Sequence, residues 1–249
     1  MELHPLAERF ADVADAYERA RPEHPPAVAG AIAAELGVPA CGRVLDLAAG
    51  TGKLTRALLG AGLDVVAVEP IPQLRSHLAA SIGAERVLEG FAEAIPLPDG
   101  SVDAVTVADA FHWFDQPRAL AEIRRVLRPG GGLAVLATVP DWEGASWADE
   151  VGLLIMDLRP EHPHFDGPPW QDAVRAAGGW SEPREIRVSV RVPARPELFA
   201  DHMSSMSWVA ALPDDQRTET LARIDEIVMS GDTPAELGLH VVIGLASLA

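Results

Sequence analysis

The sequence has little of what a disulfide framework, a membrane span or a nucleic-acid interface requires. Cys41 is the single cysteine among 249 residues, which rules out an intramolecular disulfide. Apolar runs are about a strand long, far short of the roughly 20 residues of a membrane helix. Asp and Glu total 37 against 20 Lys and Arg, and the net charge of −17 would repel a phosphate backbone. We therefore expect no membrane span and no nucleic-acid partner.

The composition is that of a folded protein with one large domain. Apolar residues make up 48% of the chain and charged residues 23%, which is enough material for a sizeable core. A chain of 249 residues suits one α/β domain, or one domain with a small cap. Residues 1–5 contain neither a basic region nor an apolar run that would indicate a secretory leader. We expect a cytoplasmic monomer or homodimer.

From residue 43 onward, short β-branched runs alternate with helical stretches. This alternation is typical of βαβ units on a parallel sheet. A period of two over residues 185–192 indicates a half-buried antiparallel edge strand, and the apolar run 239–245 indicates a last strand. The other strands are expected at residues 43–47, 65–68, 86–88, 104–108 and 133–139, which together predict a doubly wound α/β sheet.

Helices are expected between these strands and at both ends of the chain. Residues 6–36 are helical in pattern, with breaks at Arg21–Pro22 and Pro25–Pro26. The Pro-Gly-Gly-Gly stretch 129–132 is expected to turn the chain into the fifth strand. Residues 140–180 hold four of the six tryptophans without a clear period, and we interpret this segment as a lid. Further helices are predicted over residues 54–61, 72–80, 118–127, 196–211 and 214–229.

A turn of small residues follows the first strand, at the sheet edge where ligands bind in open α/β folds. This turn, Asp46–Gly52, would let a ligand approach the backbone at the start of the next helix. A dinucleotide-binding turn requires glycine at three positions, where this chain has Ala48, Gly50 and Lys53. Glu69 ends the second strand, where a carboxylate can accept hydrogen bonds from both ribose hydroxyls. The pattern disfavours a pyrophosphate and indicates a nucleoside ligand.

Four motifs follow one another along the chain: Val44–Gly52, Val66–Pro70, Gly90–Leu97, and Phe111–Phe114 together with Val126–Gly131. In this order they resemble those of the class I S-adenosylmethionine-dependent methyltransferases, and within them the type 11 methyltransferase domain family. The resemblance covers residues 41–138, and residues 10–22 are similar to the family's N-terminal helix. It implies a Rossmann-like, mostly parallel seven-stranded sheet with an antiparallel C-terminal strand and a helical lid.

The resemblance also assigns roles to individual residues. The turn would hold the methionine half of S-adenosylmethionine with Asp46 near its amino end, and Glu69 would bind the ribose diol. Tyr17 and Arg21 resemble residues that close over the methionine carboxylate, which suits the bidentate guanidinium of Arg21. The other predicted cofactor contacts are Ala48, Ala49, Gly50, Thr51, Gly52, Pro70, Ala92, Glu93 and Ala108, with Ala92 and Glu93 at the adenine.

His112 and Trp113, which follow the fourth strand by a few residues, are candidates for the acceptor site. His112 could take a proton from the acceptor as a general base, or it could only pack beneath the lid. Residues 161–166 contain two histidines and two acids, but Pro163 breaks the helical spacing that a metal site would need. No metal site is predicted.

We therefore expect methyl transfer from S-adenosylmethionine to a small-molecule acceptor, by in-line displacement at an oxygen, nitrogen or carbon nucleophile. Ala108–Phe111 replaces the Asn-Pro-Pro-Tyr-like motif of the enzymes that methylate amino groups in DNA. Residues 1–40 would close over the cofactor, 41–139 would bind it, and 140–249 would form the lid and complete the domain. A nicotinamide-dependent oxidoreductase and a non-catalytic nucleoside-binding protein are the alternatives.

Overall fold

A seven-stranded β-sheet forms the centre of the computed structural model, which describes residues 2–158 and 162–249. In chain order the strands are β1 (Arg43–Leu47), β2 (Asp64–Val68), β3 (Val87–Leu88), β4 (Val102–Ala108), β5 (Leu127–Asp141), β6 (Arg184–Pro193) and β7 (Glu236–Ser247). Across the sheet they follow the order β3-β2-β1-β4-β5-β7-β6. The order reverses beside β1, which places the ends of β1 and β4 at the point where such sheets bind ligands.

Strands β1 to β5 are parallel, and β7 runs antiparallel between β5 and β6. The predicted doubly wound fold with an antiparallel C-terminal strand is therefore confirmed. Strand β6 lies at the edge and alternates half-buried and exposed residues along its length. This is the period of two that its sequence predicted.

Helices cover both faces of the sheet. On one face, Ile32 and Leu58 pack against Val44 and Ala134, and on the other, Leu120 and Ile123 pack against Val105. The central strands are apolar throughout because both of their faces are buried. The helices are α1 (Pro5–Glu8), α2 (Ala14–Ala20), α3 (Pro26–Glu35), α4 (Lys53–Gly60), α5 (Pro72–Ile82), α6 (Gln116–Val126), α7 (Ala148–Leu158), α8 (Pro163–Asp166), α9 (Trp170–Ala177), α10 (Phe199–Ser204), α11 (Ser207–Ala210) and α12 (Asp214–Ser230).

Three boundaries differ from the sequence-based prediction. Residues 129–132 lie within β5 rather than in a separate turn, because β5 starts at Leu127 and the register against β4 shifts between Val102 and Ala104. Residues 196–211 form a 3-10 turn followed by α10 and α11, not one helix. The N-terminal helix has a further break at Arg9–Ala11, a 3-10 turn between α1 and α2.

Residues 140–180 contain three helices, α7 to α9, where the sequence showed no clear period. Trp147 is buried against Phe199 and Met203, so the start of this segment is part of a helical core with α10 and α12. Trp170 and Trp180 pack instead against the main core of the sheet. Of the predicted lid, it is α8 that contacts the short 3-10 turn Phe111–Trp113 after β4.

Candidate active site

Two adjoining cavities lie at the carboxyl ends of β1, β2 and β4, and we call them together the edge cavity. They share five lining residues, which makes them neighbouring parts of one site rather than separate pockets: Tyr17, Ala48, Gly50, Ala108 and Asp109. The larger part is also lined by Glu69, Pro70, Phe91, Ala92, Glu93 and Trp113, and the smaller by His24, Asp46, Ala49 and Lys53.

The turn after β1 needs unusual backbone angles. Ala48, Gly50 and Gly52 all have positive φ, at +56°, +60° and +92°. A Cβ on Gly52 would lie 2.7 Å from the Leu78 side chain, whereas a Cβ on Gly50 would meet no protein atom within 4 Å. Gly50 therefore faces open space in the edge cavity. Ala48 carries the cost of about 1–2 kcal/mol that a non-glycine residue has in this conformation.

Asp46 is buried at the base of the turn, 1% exposed. Its Oδ2 accepts a hydrogen bond from the Thr55 hydroxyl at 2.6 Å, and its Oδ1 accepts one from the Thr106 hydroxyl at 3.0 Å. Burial raises the pKa of Asp46 to about 6, and these two hydroxyls partly offset that effect. The carboxylate ties α4 and β4 to the end of β1, and it also lines the smaller part of the edge cavity.

Glu69 ends β2 and is 3% exposed. The Gly50 backbone N–H donates to its Oε2 at 2.8 Å, and the Ile71 backbone N–H donates to its Oε1 at 2.9 Å. Burial raises the pKa of Glu69 to about 7, although these two N–H groups favour the ionised form. Each carboxylate oxygen still has a second lone pair, so Glu69 can accept hydrogen bonds from a ligand as well.

The N-terminal segment is held over this site by an ion-pair network. Glu23 contacts Lys53 Nζ at 3.0 Å and Arg56 Nη2 at 2.6 Å, and Glu18 contacts the same two cations at 3.5 and 3.2 Å. This docking also positions Tyr17, because α2 places its half-buried ring in the lining of the edge cavity. Burial raises the pKa of the Tyr17 phenol.

Arg21 lies outside the lining of the edge cavity. Its guanidinium stacks on the Tyr17 ring at 4.8 Å and donates to the Ser205 hydroxyl at 3.0 Å and the Ser205 carbonyl at 3.3 Å. In this structure Arg21 links α2 to the C-terminal helices. The predicted contact between Arg21 and a cofactor carboxylate stays a prediction.

Of the two acceptor-site candidates, the structure places Trp113 but not His112 in the lining of the edge cavity. Trp113 lines the edge cavity, whereas His112 packs away from it against His162 and His164, with ring centroids 5.5 and 4.9 Å apart. Burial lowers the pKa of His112 to about 3, and His164 and His162 lower it further. His112 is therefore neutral across the physiological pH range. Glu161, which belongs to the 161–166 stretch with these two histidines, lies outside the described residues.

Sequence reasoning missed several lining residues of the site, among them Asp109 and His24. Asp109 follows β4 with φ of +52°, and its Oδ1 accepts a hydrogen bond from the Thr138 backbone N–H at 2.8 Å. An acidic residue directly after a central strand was a usable signal for Asp109. His24 lines the smaller part of the cavity with its Nδ1 buried and without a hydrogen-bond partner. No sequence pattern marks it.

The structure brings most of the predicted cofactor contacts to the edge cavity. Thr51 and Gly52 lie in the same turn but do not line it, and the buried Thr51 hydroxyl has no hydrogen-bond partner. The predicted residues that do line it are Tyr17, Asp46, Ala48, Ala49, Gly50, Glu69, Pro70, Ala92, Glu93, Ala108 and Trp113.

Comparison with known proteins decides the family. Residues 45–135 match the methyltransferase domain family. Over 220 residues the chain is 40% identical to an uncharacterised methyltransferase of Mycobacterium tuberculosis, an alignment that covers 88% of this chain and 85% of that protein. The chain is a class I S-adenosylmethionine-dependent methyltransferase. An uncharacterised methyltransferase-like protein of Schizosaccharomyces pombe is 32% identical over 217 residues, or 87% of this methyltransferase and 84% of that protein.

The solved structure of a protein assigned to the type II methyltransferases, from Anaeromyxobacter dehalogenans, has the same fold as this methyltransferase. It superposes with a TM-score of 0.61 at 28% identity and covers 92% of this chain and 97% of its own. None of these comparisons supports a nicotinamide-dependent oxidoreductase. The family implies S-adenosylmethionine as the methyl donor.

Within residues 2–158 and 162–249, no three His, Cys, Asp or Glu side chains are grouped so that they could hold a metal ion. Over the same ranges, no helix has both the length and the apolar character of a membrane span.

Proposed function

We propose that this methyltransferase transfers the methyl group of S-adenosylmethionine to a small-molecule acceptor by in-line displacement. The observation that carries this proposal is the edge cavity, in which the open space over Gly50 and the buried carboxylate of Glu69 lie together. When bound, S-adenosylmethionine supplies a methyl group already activated by its positive sulfur.

The residues of the edge cavity fit such a cofactor. The turn around Gly50 leaves room for a ligand against the backbone, and Glu69 has acceptor lone pairs for a ribose diol. The buried Thr51 hydroxyl of the same turn is a polar atom that lacks a protein partner. Ala92 and Glu93 line the opposite end, where we place the adenine.

The task of the protein is alignment and exclusion of water. Holding donor and acceptor in a reactive geometry can supply about 7–11 kcal/mol of the barrier. Tyr17 covers the turn, and the ion pairs of Glu23 with Lys53 and Arg56 hold the N-terminal segment in place over it. A closed site of low polarity also strengthens the electrostatic contacts inside it.

A turnover screen tests the proposal. The protein is incubated with S-adenosylmethionine carrying a tritiated methyl group and a panel of neutral alcohols, amines and acids, and methylated products are separated from the donor. We expect transfer to at least one acceptor by the wild type, and strongly reduced transfer by a Gly50→Val variant at the same subsaturating donor concentration. A protein that binds S-adenosylhomocysteine but methylates no acceptor of any class would instead be a non-catalytic nucleoside-binding protein.

Replacing Glu69 with alanine should weaken S-adenosylhomocysteine binding by roughly tenfold or more. The reason is that charge-assisted hydrogen bonds contribute about 1.5–3 kcal/mol. Isothermal titration calorimetry measures the dissociation constant, with circular dichroism to show that the variant is folded. Glu89→Ala is the matched control, since the Glu89 carboxylate is 71% exposed and lies outside the edge cavity. An unchanged dissociation constant for Glu69→Ala would remove Glu69 from the ribose site.

A His112→Gln variant separates the two interpretations of His112. General-base catalysis contributes about 10² to 10⁴ in rate, so loss of a base should slow turnover by that factor. Because His112 is half-buried, neutral and outside the lining of the edge cavity, we expect less than a tenfold change in turnover and an unchanged affinity for S-adenosylhomocysteine. The measurement uses the acceptor found in the screen. Turnover slowed by roughly two orders of magnitude or more would restore the base role.

A further inference from the structure

A second cavity of about 340 Å³ opens beside the edge cavity, between the ends of β5, β6 and β7 and the N-terminal segment. This volume lies in the range of about 300–1,000 Å³ that is usual for small-molecule sites. Its walls include Pro140 and Leu239 from the sheet, Trp142 after β5, and Phe199 and His202 from α10. We call it the aromatic cavity. The proposed function gives it no role.

The smaller part of the edge cavity and the aromatic cavity lie on the same face of the sheet. Along β5, Ala134 and Leu136 pack in the core beneath α3, and side chains alternate faces, so Thr138 and Pro140 point to that same side. Pro140 pairs with Leu239 on β7, which also lines the aromatic cavity.

The edge cavity starts on this face one strand away. Val44 of β1 packs beneath α3, so Asp46, two residues on, faces the same side, and the Thr106 hydroxyl of β4 reaches Asp46 across the sheet. Ala108 of β4 pairs with Leu136 of β5. Thr138 therefore lies between the two cavities. It is next to Asp109, whose carboxylate accepts a hydrogen bond from the Thr138 backbone N–H.

The partition between the cavities contains buried polar atoms without partners. It is formed by the chain between α2 and α3, where Pro22 and Glu23 line the aromatic cavity and His24 lines the edge cavity. His24 Nδ1 and Thr138 Oγ1 are both buried and make no hydrogen bond. An orphaned buried polar group costs about 1–3 kcal/mol, which a ligand hydroxyl at the partition would recover.

The aromatic cavity offers no free charge to a ligand. Of the described residues that line it, Glu23 and Arg195 are charged. Glu23 is paired with Lys53 and Arg56, and Arg195 faces Glu197 at 3.8 Å with a largely exposed side chain. His202 is neutral, because burial and the nearby Arg21 lower its pKa to about 3. An anionic or cationic acceptor would have to compete with these existing ion pairs for a counter-charge as it leaves water.

We propose that the aromatic cavity is the acceptor site of this methyltransferase, and that it takes an uncharged acceptor with an aromatic or apolar body and a hydroxyl that reaches His24. This inference rests on the proposed function, since it assigns a place to the acceptor of that reaction. The Trp142 and Phe199 rings contact the apolar body. Burial lowers the pKa of His24, so its ring is neutral. Its Nδ1, on the boundary of the edge cavity, accepts a hydrogen bond from the hydroxyl of the acceptor.

The test is a binding titration with 2-naphthol as the probe, by calorimetry, with and without saturating S-adenosylhomocysteine. We expect 2-naphthol to bind, and naphthalene and 2-naphthoate to bind at least about threefold and tenfold more weakly. Loss of one neutral hydrogen bond explains the first ratio, and burial of an unpaired charge the second. Absence of 2-naphthol binding, or equal binding of 2-naphthoate, would overturn the proposal.

Two pairs of variants locate the probe. Ala194→Phe fills the aromatic cavity and should weaken the binding of 2-naphthol at least tenfold. Ala235→Phe is the control and should leave this binding unchanged, because Ala235 is exposed and only its backbone carbonyl contacts the Ala194 N–H. His24→Phe should weaken 2-naphthol about three- to tenfold without affecting naphthalene, and His24→Asn, which keeps an acceptor, should restore it. Unchanged 2-naphthol binding in Ala194→Phe would contradict the assignment.

The same titrations keep the two proposals apart. Neither Ala194 nor Ala235 lines the edge cavity, so their variants should bind S-adenosylhomocysteine as the wild type does. Failure of S-adenosylhomocysteine to bind would overturn the proposed function. Binding of S-adenosylhomocysteine with no binding of 2-naphthol would overturn the acceptor site alone.

Discussion

A Gly50→Val variant is expected to lose roughly 100-fold in affinity for S-adenosylhomocysteine. Gly50 has φ of +60° and lines both parts of the edge cavity, and a Cβ there would point into its open space. A valine side chain would occupy the volume that the ligand needs. Overpacking a filled site costs about 1–3 kcal/mol, which corresponds to as much as roughly 100-fold in a dissociation constant.

Strain must be separated from the loss of space, because valine disfavours positive φ at any position. Gly62 provides the matched control, since it has φ of +82°, its added Cβ would also meet open space, and it lies in an exposed turn after α4. Both variants should therefore lose similar stability in urea unfolding. We expect ligand affinity to fall in Gly50→Val alone, and an equal fall in Gly62→Val would show that the effect is only strain.

The free energy of unfolding of the ligand-free protein should fall as pH rises from about 4.5 to 8, in part because of Glu69. Burial raises the pKa of Glu69 from 4.5 to about 7. The folded state therefore binds a proton more tightly than the unfolded state, and that stabilisation is complete below pH 4.5 and lost as pH rises through 7. At about 1.4 kcal/mol per unit of pKa, the change is on the order of 3 kcal/mol.

A Glu69→Gln variant isolates this contribution. Glutamine has the shape of the protonated acid but does not ionise, and the hydrogen bond that its NH2 group cannot accept from one of the two backbone N–H groups is lost equally at every pH. The difference in unfolding free energy between variant and wild type should therefore shift by roughly 3 kcal/mol in favour of the variant between pH 4 and pH 8. Urea unfolding at five pH values measures it. Parallel pH profiles for the two proteins would mean that Glu69 is not buried as described.

The strands and the turn could be predicted because their sequence signals are local. Each parallel strand is an apolar run of the right length, and Glu69 follows the second run directly. The chemistry at the ends of β1 and β2 depends only on the position of a residue relative to its strand. Asp46, Gly50 and Glu69 therefore all reach the edge cavity, as the sequence indicated.

The family resemblance implied a helical lid, but the positions of the helices in residues 140–180 could not be predicted, because tertiary packing outweighs their weak local signal. Val151, Leu154 and Ile155 do have helical spacing, but the surrounding prolines, glycines and tryptophans hide it. These side chains meet the helices α10 and α12, which lie more than forty residues further along the chain. Sequence spacing alone does not reveal such a partner.

The direction in which a side chain points was the other feature that the sequence could not predict. His112 follows β4 as expected, but its ring turns toward His162 and His164 rather than into the edge cavity. His24 shows the reverse, since nothing in its sequence context marks it and the fold brings it to the cavity through the docking of α2 and α3. In both cases a contact between distant segments decides the outcome.

The central claim is that S-adenosylmethionine binds in the edge cavity, and calorimetric titration of the wild type and the Gly50→Val variant with S-adenosylhomocysteine tests it most directly. The account predicts saturable binding at one site per chain in the wild type, binding weakened roughly 100-fold in Gly50→Val, and no binding of NAD. Binding of equal strength to both proteins, or no binding to the wild type, would contradict it.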